Sequence, residues 1–446
     1  MNQDPKRTRG VAIPIDRPRR VAIACQGGGS HTAFTAGVLK RVLREADLGN
    51  YRIVALSGTS GGAVCALLAW YGLLAGDSAR AQRLLDEFWC DNSATAPHEQ
   101  LLNSWLMWAS QLQDLVATPQ VSPYDNPFSP AGLEEFRAML LRQVDFDRIE
   151  AQPDPAQPML VVGAVDVLSG DFRSFNSRRE RISADAILAS AAIPNLFRSV
   201  HVDGGTYWDG LFSQNPPIRE LVDADPDEIW VIQINPKEVD SEPRTVTEIA
   251  DRRNELAGNL SLHQELHFIE HIDRMLEDGL LARDGKYRSI VVRVIELARS
   301  RVSRSLGTAS KVNRDPAFLA ELIAHGEDRA EEFFTALDFE TAWRGQQREA
   351  VMAFFTDESE LSAVSPFPES KPRVGRSQIR RFVTDHLTKD VIVDLTRKQV
   401  ARERVTWNVS VRGRDGKRRT SGIAEAVFKG RHIVTFRLSG AGVRSH

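Results

Sequence analysis

A serine set between glycines, at the junction of two apolar segments, constrains this chain most. A strand-like apolar run ends at Gly58-Thr-Ser60-Gly-Gly62, and a helix-like apolar run follows over residues 61–74. This is the G-x-S-x-G form of a nucleophile elbow, in which a serine occupies a sharp turn between a strand and a helix. Gly58 and Gly62 tolerate such a strained turn and allow a substrate to approach the hydroxyl closely. Because the motif is short, its meaning depends on the rest of the chain.

Composition narrows the class of protein. The length of 446 residues predicts two to three domains, and the net charge of -3 gives no electrostatic reason to expect nucleic-acid binding. The three cysteines lack metal-site spacing and are too few for a disulfide framework. The N-terminus has no apolar signal region, and the most apolar run, residues 63–75, is shorter than a bilayer-spanning helix. We therefore expect a cytoplasmic protein, whose substrate could still be a lipid.

The first half of the chain alternates between buried strands and helices. Residues 20–26 are a continuous apolar run that predicts a strand buried on both faces, and a helix begins near His31 with Ser30 as its N-cap. Further strands are predicted at 52–56 and 159–165, among others. Strand–helix repeats of this kind form right-handed βαβ units, so the fold class is α/β with a parallel sheet.

A second apolar stripe at helical spacing has two interpretations. It is a packed core helix, or it is a lid or acyl-chain wall beside an active site. Its members are Leu101, Trp105, Trp108, Leu112 and Leu115.

The pattern changes near residue 338. A helix is predicted over 339–357, a proline-containing loop over 358–375, and a helix over 377–387. Alternating strands then follow, in one of which Val405, Trp407, Val409 and Val411 share a face, and Asp415-Gly416 forms a turn. We expect a flexible arm over 1–18, an α/β domain over 19–337, and an α+β domain over 338–446.

A glycine triplet lies between the first strand and the first helix. Backbone amides at such a position point outward and can bind a phosphate or an oxyanion. The lysine of a phosphate-binding G-x-x-x-x-G-K-[ST] loop is missing here. With Ser60 about 30 residues later, the amides of Gly27, Gly28, Gly29 and Ser30 are better used as an oxyanion hole.

A serine nucleophile needs a base, and the histidines offer no clear candidate. His263, His267 and His271 recur every four residues, which we interpret as an exposed helix face rather than a metal site. His201 begins a predicted hairpin and is read as structural. The remaining candidate is Asp209, a carboxylate at a strand-to-loop corner, although Asp-Gly is also a common turn.

Four stretches occur in the order that is typical of one family. They are GGG at 27–29, GTSGG at 58–62, ASAAIP at 189–194 and YWDG at 207–210. Together they resemble the patatin-like phospholipase family over about residues 19–335.

The resemblance implies a patatin-like three-layer core around a parallel sheet, and a Ser–Asp dyad without cofactor or metal. Ser60 would be the nucleophile, Asp209 the base, and the amides of Gly27 to Ser30 the oxyanion hole. Members cleave acyl esters of glycerolipids through an acyl-serine. Asp203 lies in a similar Asp-Gly-Gly sequence, but we place it in the hairpin turn.

Departures from the family pattern keep other hypotheses open. His31, Thr32 and Leu211 replace residues that the family usually has at these positions, which favours a catalytically weak lipid-binding or scaffold protein as the alternative. Another alternative is an α/β-hydrolase with a catalytic histidine elsewhere in the chain.

The C-terminal part, about 338–446, resembles the SnoaL-like and nuclear-transport-factor-like cone fold. The resemblance implies an accessory role such as a homodimer interface or ligand sensing, not a second catalyst. The expected partners are a lipid or acyl-ester substrate, a membrane surface that is contacted transiently, and a second copy of the chain.

Overall fold

The computed structural model describes residues 17–46, 49–101, 103–104, 122–126, 129–194, 196–239, 241–282, 287–303, 306–307, 309–363, 370–386, 391–401, 404–413 and 418–440. Most of the predicted arm at 1–18 and most of the apolar stripe between 101 and 115 lie outside these residues. The chain divides into two compact units, Pro18–Ala330 and Glu331–His446. The division falls inside the helix Pro316–Arg344, whereas the sequence pattern placed it after residue 337.

The first unit alternates strands and helices as predicted. Its described strands are β1 (Arg19–Cys25), β2 (Tyr51–Gly58), β3 (Met159–Asp166), β4 (Phe172–Asn176), β5 (Val200–Val202), β6 (Gly205–Asp209), β7 (Glu228–Gln233) and β8 (Val291–Glu296). Its described helices are α1 (Ala33–Ala46), α2 (Gly61–Leu74), α3 (Ser78–Asp91), α4 (Ser129–Gln143), α5 (Ala184–Ser190), α6 (Val246–Glu277) and the first part of α7 (Pro316–Arg344).

The sheet of this unit is mixed, not all parallel as the strand–helix repeats predicted. The strand order is β8-β7-β1-β2-β3-β6-β5, with β4 also paired to β3. The pairs from β8 to β3 are parallel, but β6, β5 and β4 are antiparallel. The predicted Asp-Gly turn accounts for the β5–β6 pair, since Asp203 and Gly204 have φ angles of 47° and 84°. Two residues with positive φ make a tight hairpin, which joins neighbouring strands antiparallel.

Helices cover both faces of the sheet, which gives three layers. Alternate residues of β1, Ala22 and Ala24, belong to a buried cluster with Leu262 and Leu266 of α6. Helices α1 and α2 pack against β2 and contribute no residue to that cluster, so they occupy the other face. The carboxyl ends of the parallel strands β1 and β2 lie at the same edge, which brings the glycine triplet close to Ser60. Within the described residues, no helix is long and apolar enough to cross a membrane.

The second unit combines helices with a largely antiparallel sheet. Its described elements after α7 are α8 (Arg348–Met352), β9 (Phe355–Ala363), β10 (Ser370–Val374), α9 (Arg376–His386), β11 (Val391–Ala401), β12 (Arg404–Gly413), β13 (Arg418–Lys429) and β14 (His432–Gly440). The strand order is β10-β9-β14-β13-β12-β11, in which β14 and β9 are parallel and the other pairs antiparallel. This agrees with an α+β unit that ends in a meander.

Two local predictions in this unit are wrong. The helix predicted to residue 357 ends at Met352, and much of the predicted loop over 358–375 is strand. Strand β9 forms because Phe355, Leu361 and Ala363 are buried on one face and because its backbone pairs with distant β14. Pro372 is compatible with β10 because β10 is the last strand in this order, and an edge strand tolerates a missing donor. The predicted Asp415-Gly416 turn lies outside the described residues.

Candidate active site

Ser60 occupies a strained turn between β2 and α2. It caps the N-terminus of α2 with φ 57° and ψ -132°, a conformation that non-glycine residues rarely adopt. Its amide donates a hydrogen bond to Ser190 Oγ at 2.9 Å, and Ser190 Oγ donates to the carbonyl of Gly163 at 2.6 Å. The strain is therefore held by contacts from two other elements, which is typical of a functional residue.

The glycines of the elbow are required by close approach of backbone. A Cβ on Gly58 would lie 2.5 Å from the carbonyl oxygen of Gly62, and one on Gly62 would lie 2.3 Å from the carbonyl oxygen of Cys25. Both distances are far shorter than a real contact. These two positions accept only glycine without movement of the backbone.

Asp209 is the acidic residue that the structure brings to Ser60. It ends β6, where its amide donates to the carbonyl of Ala192 at 3.0 Å, and its carboxylate is buried. That carboxylate accepts the Leu211 amide at 2.8 Å, and the neighbouring Ser60 hydroxyl acts to lower its pKa. Asp203, the other candidate, is exposed in the β5–β6 turn.

Burial changes the acidity of Asp209. Removal from solvent raises the pKa of its carboxyl to about 7, although the Leu211 amide, the Ser60 hydroxyl and the charge of Lys311 all act to lower it. A carboxyl with this pKa exchanges a proton near neutral pH, which suits a general base.

The glycine triplet presents amides beside the serine, but not all of those predicted. The amide of Gly27 donates to Asn215 Oδ1 at 2.7 Å, so that donor is already engaged. A 3-10 turn over Gly29–Thr32 follows, so Ser30 lies within the turn and is not the predicted N-cap. The first amides of such a turn have no partner within it, and the described residues supply none to Gly28, Gly29 or Ser30. The available donors are therefore those of Gly28 to Ser30.

A buried glutamine holds this loop in place. Gln26 Oε1 accepts the amides of Ile234 and Asn235, each at 2.8 Å, while its Nε2 donates to Asn259 Oδ1 at 2.8 Å. These bonds tie the loop after β1 to the loop after β7 and to α6. No sequence motif predicted this network.

Lys311 is a half-buried lysine whose charge acts on Asp209, and the sequence did not indicate it. Its Nζ donates to Asn235 Oδ1 at 3.3 Å, and a Cβ on Gly29 would lie 2.2 Å from its carbonyl oxygen. Burial and the charge of Arg299 lower the pKa of Lys311, while Asp209 is among the carboxylates that raise it. Lys311 lies more than 100 positions after Asp209, in a segment without a motif, so only the fold brings them together.

The histidines that could compete for the role of base have other partners. His31 is buried and its Nε2 lies 2.8 Å from Ser310 Oγ, and burial with the charges of Lys311 and Arg299 keeps its pKa well below the usual value. His201 Nδ1 lies 3.1 Å from Thr206 Oγ1. Neither is bonded to Ser60 or Asp209.

Comparison with known proteins gives one family match. Residues 23–222 match the family described as Patatin-like phospholipase, which confirms the predicted resemblance for that part of the chain. A search of curated proteins found no match.

Several solved structures are similar to parts of the chain. VipD from Legionella pneumophila is 13% identical, with 72% of this chain and 67% of VipD covered and a TM-score of 0.36. An NTF2-like protein of unknown function from Mesorhizobium loti is 17% identical, covering 25% of this chain and 92% of its own, with a TM-score of 0.23. A SnoaL-like family protein from Agrobacterium tumefaciens is 11% identical, covering 25% and 98%, with a TM-score of 0.21.

Proposed function

We propose that the patatin-like phospholipase domain at residues 23–222 is a serine acyl hydrolase of lipid esters, acting through a Ser60–Asp209 dyad. The observation that supports this most is that the strained Ser60 lies beside the buried Asp209 carboxylate, close enough for its hydroxyl to lower the pKa of that carboxyl.

The proposed reaction has two halves that share one base. As Ser60 Oγ attacks the ester carbonyl carbon, the Asp209 carboxylate takes the hydroxyl proton, and the carbonyl oxygen becomes an oxyanion. The leaving alcohol takes that proton as the ester C–O bond breaks, which leaves an acyl-serine. Water then attacks the acyl-serine, Asp209 takes a proton from the water, and the carboxylic acid departs as Ser60 recovers its proton.

The oxyanion is stabilised in this scheme by the amides of Gly28, Gly29 and Ser30. Such donors are fixed in place before the reaction, and removal of one typically costs about 10²–10³ in kcat. Gly27 then has a supporting role, since its amide is bonded to Asn215. Part of the predicted oxyanion hole is thus reassigned.

The test is hydrolysis of p-nitrophenyl butyrate and of a dispersed phospholipid by the wild type, Ser60→Ala and Asp209→Asn. We expect both variants to lose at least 10³-fold in kcat/KM while remaining folded. His31→Gln serves as the matched control, because His31 is buried near the loop but is bonded to Ser310. Full activity of Ser60→Ala, or an inactive wild type, would favour the lipid-binding or scaffold alternative.

The proposal also assigns an accessory role to the second unit and a cytoplasmic location to the protein. The expected role is homodimer formation through the sheet of that unit, in keeping with the resemblance to the SnoaL-like fold. Sedimentation velocity of the full chain tests this, because a monomer over the micromolar range would contradict it.

A further inference from the structure

The outer face of α6 is apolar and exposed. Five large side chains there are between 53% and 85% exposed, namely Val246, Ile249, Leu256, Leu260 and Phe268. At 3.6 residues per turn they lie on about one third of the helix circumference, opposite the buried residues Leu262 and Leu266. We call this stripe, over residues 246–274, the outer face of α6. Contiguous exposed apolar surface of this kind marks a binding surface.

The charges on the same face have one sign. Arg253 and Arg274 are exposed on it, together with His267 and His271. By the same helical count, six carboxylates of α6 lie on its other sides: Glu248, Asp251, Glu255, Glu265, Glu270 and Asp273. Two members of the predicted histidine series, His267 and His271, are exposed on this face, whereas His263 is half-buried.

The inner face of α6 packs on the candidate active site. Gln26 Nε2 donates to the carbonyl of Gly258 at 3.3 Å, and a Cβ on Gly258 would lie 2.8 Å from Leu211 Cδ1. Glu265 accepts the amide of Ile218 at 2.8 Å, just beyond the loop that follows Asp209. Phe212, three residues after Asp209 and in a 3-10 turn that contacts α6, is itself 56% exposed. Phe212 is therefore a second exposed apolar group, next to the site itself.

We propose that the outer face of α6 docks the protein on an anionic lipid surface. Apolar side chains enter the boundary between head groups and acyl chains, while nearby Arg and Lys attract anionic lipids. The absence of carboxylates from this face complements such a surface. A second copy of the chain fits less well, because a two-fold contact would bring Arg253 and Arg274 against the same basic face. That the docked lipid is also the substrate rests on the proposed function. The binding to a lipid surface does not.

The test separates docking from catalysis. Binding of Ser60→Ala to vesicles of phosphatidylcholine mixed with the anionic lipid phosphatidylglycerol is measured by co-sedimentation. The double change Leu256→Glu/Leu260→Glu in the same background is expected to reduce binding at least tenfold. Leu141→Glu on α4 is the matched control, since Leu141 is 53% exposed, as is Leu256. Binding is also expected to weaken with added salt and with phosphatidylcholine alone.

Hydrolysis gives the second readout. With Ser60 intact, the double variant should hydrolyse soluble p-nitrophenyl butyrate like the wild type but lose activity on vesicles. Vesicle binding that is equal in the double variant and the wild type would overturn the inference, as would a lack of binding by both. A change from dimer to monomer in the double variant, with vesicle binding unaltered, would instead assign the face to a second copy. Because binding is measured in Ser60→Ala, an inactive enzyme would refute the proposed function and leave the docking result intact.

Discussion

The amide of Ser60 donates to Ser190 Oγ at 2.9 Å, and Ser190 donates onward to Gly163 at 2.6 Å. The hydroxyl of Ser190 thereby links the elbow to β3, and removing it leaves two buried backbone groups unpaired. We expect Ser190→Ala to lower the free energy of unfolding by about 1–3 kcal/mol and kcat by about tenfold. Ser57→Ala is the control, because Ser57 Oγ is buried without a hydrogen-bond partner in the described structure. Urea titration measures the free energy of unfolding, and steady-state kinetics measures kcat. Equal values for Ser190→Ala and Ser57→Ala would contradict a role of Ser190 in holding the turn at Ser60.

Activity should follow the ionisation of Asp209. The pKa of this carboxyl is raised by burial to about 7, and only the ionised form can accept the Ser60 proton. The rate constant kcat/KM should therefore be low at acidic pH and rise to a plateau above neutral pH, with a midpoint near 7. A soluble ester avoids effects on lipid dispersion. A midpoint near 4, the usual value for aspartate, would contradict the raised pKa of Asp209, and a midpoint near 7 that persists in Asp209→Asn would mean that Asp209 is not the base.

The charge of Lys311 should shift the midpoint of the kcat/KM pH profile. Its positive charge lowers the pKa of Asp209 and so favours the ionised base. We expect Lys311→Met to move the midpoint of the kcat/KM profile to higher pH and Lys311→Arg to restore it in part. Lys237→Met, at an exposed lysine, is the control. A loss of activity at every pH, with no change of midpoint, would indicate a structural role only.

Gly29 is the position where the oxyanion loop tolerates least change. It has φ 57°, and a Cβ would lie 2.2 Å from the carbonyl oxygen of Lys311. Gly29→Ala should displace the loop and reduce kcat by about 10²–10³, as loss of an oxyanion donor does. Gly49→Ala is the control. Gly49 has a positive φ of 78°, as Gly29 does, but a Cβ placed on Gly49 would have nothing within 4 Å. If both variants keep full activity, the loop does not form the oxyanion hole.

A buried ion pair away from the dyad should matter for stability. Burial alone would raise the pKa of Glu228, but the neighbouring charge of Arg293, with Arg19, lowers it to about 2. Because the folded pKa is depressed, this stabilisation is present above the unfolded pKa of about 4.5 and is lost as pH falls through about 2. Arg293→Met removes the fully buried partner of Glu228 and leaves the partly exposed Arg19 beside it, so it should cost up to about 3–5 kcal/mol at pH 7.

The exposed pair Arg179–Asp223 is the control for that measurement. Arg179→Met should change the free energy of unfolding by less than about 1 kcal/mol. Urea titrations at pH 7 and at pH 3 should show the penalty of Arg293→Met shrinking with acid. A penalty that does not change with pH would contradict the assignment to the Glu228 charge.

Local patterns predicted the parts of the site that depend on local chemistry. The turn at Ser60, the helix Gly61–Leu74 and the Asp203-Gly204 hairpin that leads to Asp209 all follow from glycine placement and apolar runs. Asp209 was preferred to Asp203 only through the family resemblance. Both serine and carboxylate then meet because β2 and β6 flank β3.

The remaining features depend on contacts between distant segments. Asn215 takes the amide of Gly27, and Lys311 lies beside Gly29, yet neither has a local signal. Strand β9 was mistaken for helix and loop because its pairing partner, β14, lies about 75 residues later and no periodicity in 355–363 records it.

Mass spectrometry after treatment with a fluorophosphonate probe tests the central claim most directly. The wild type should gain one phosphonyl adduct, located by peptide mapping on Ser60, since only an activated serine reacts rapidly. Asp209→Asn should react at least 10²-fold more slowly, and Ser60→Ala should not react. An unlabelled wild type, or an adduct on another residue that survives in Ser60→Ala, would contradict a dyad of Ser60 and Asp209.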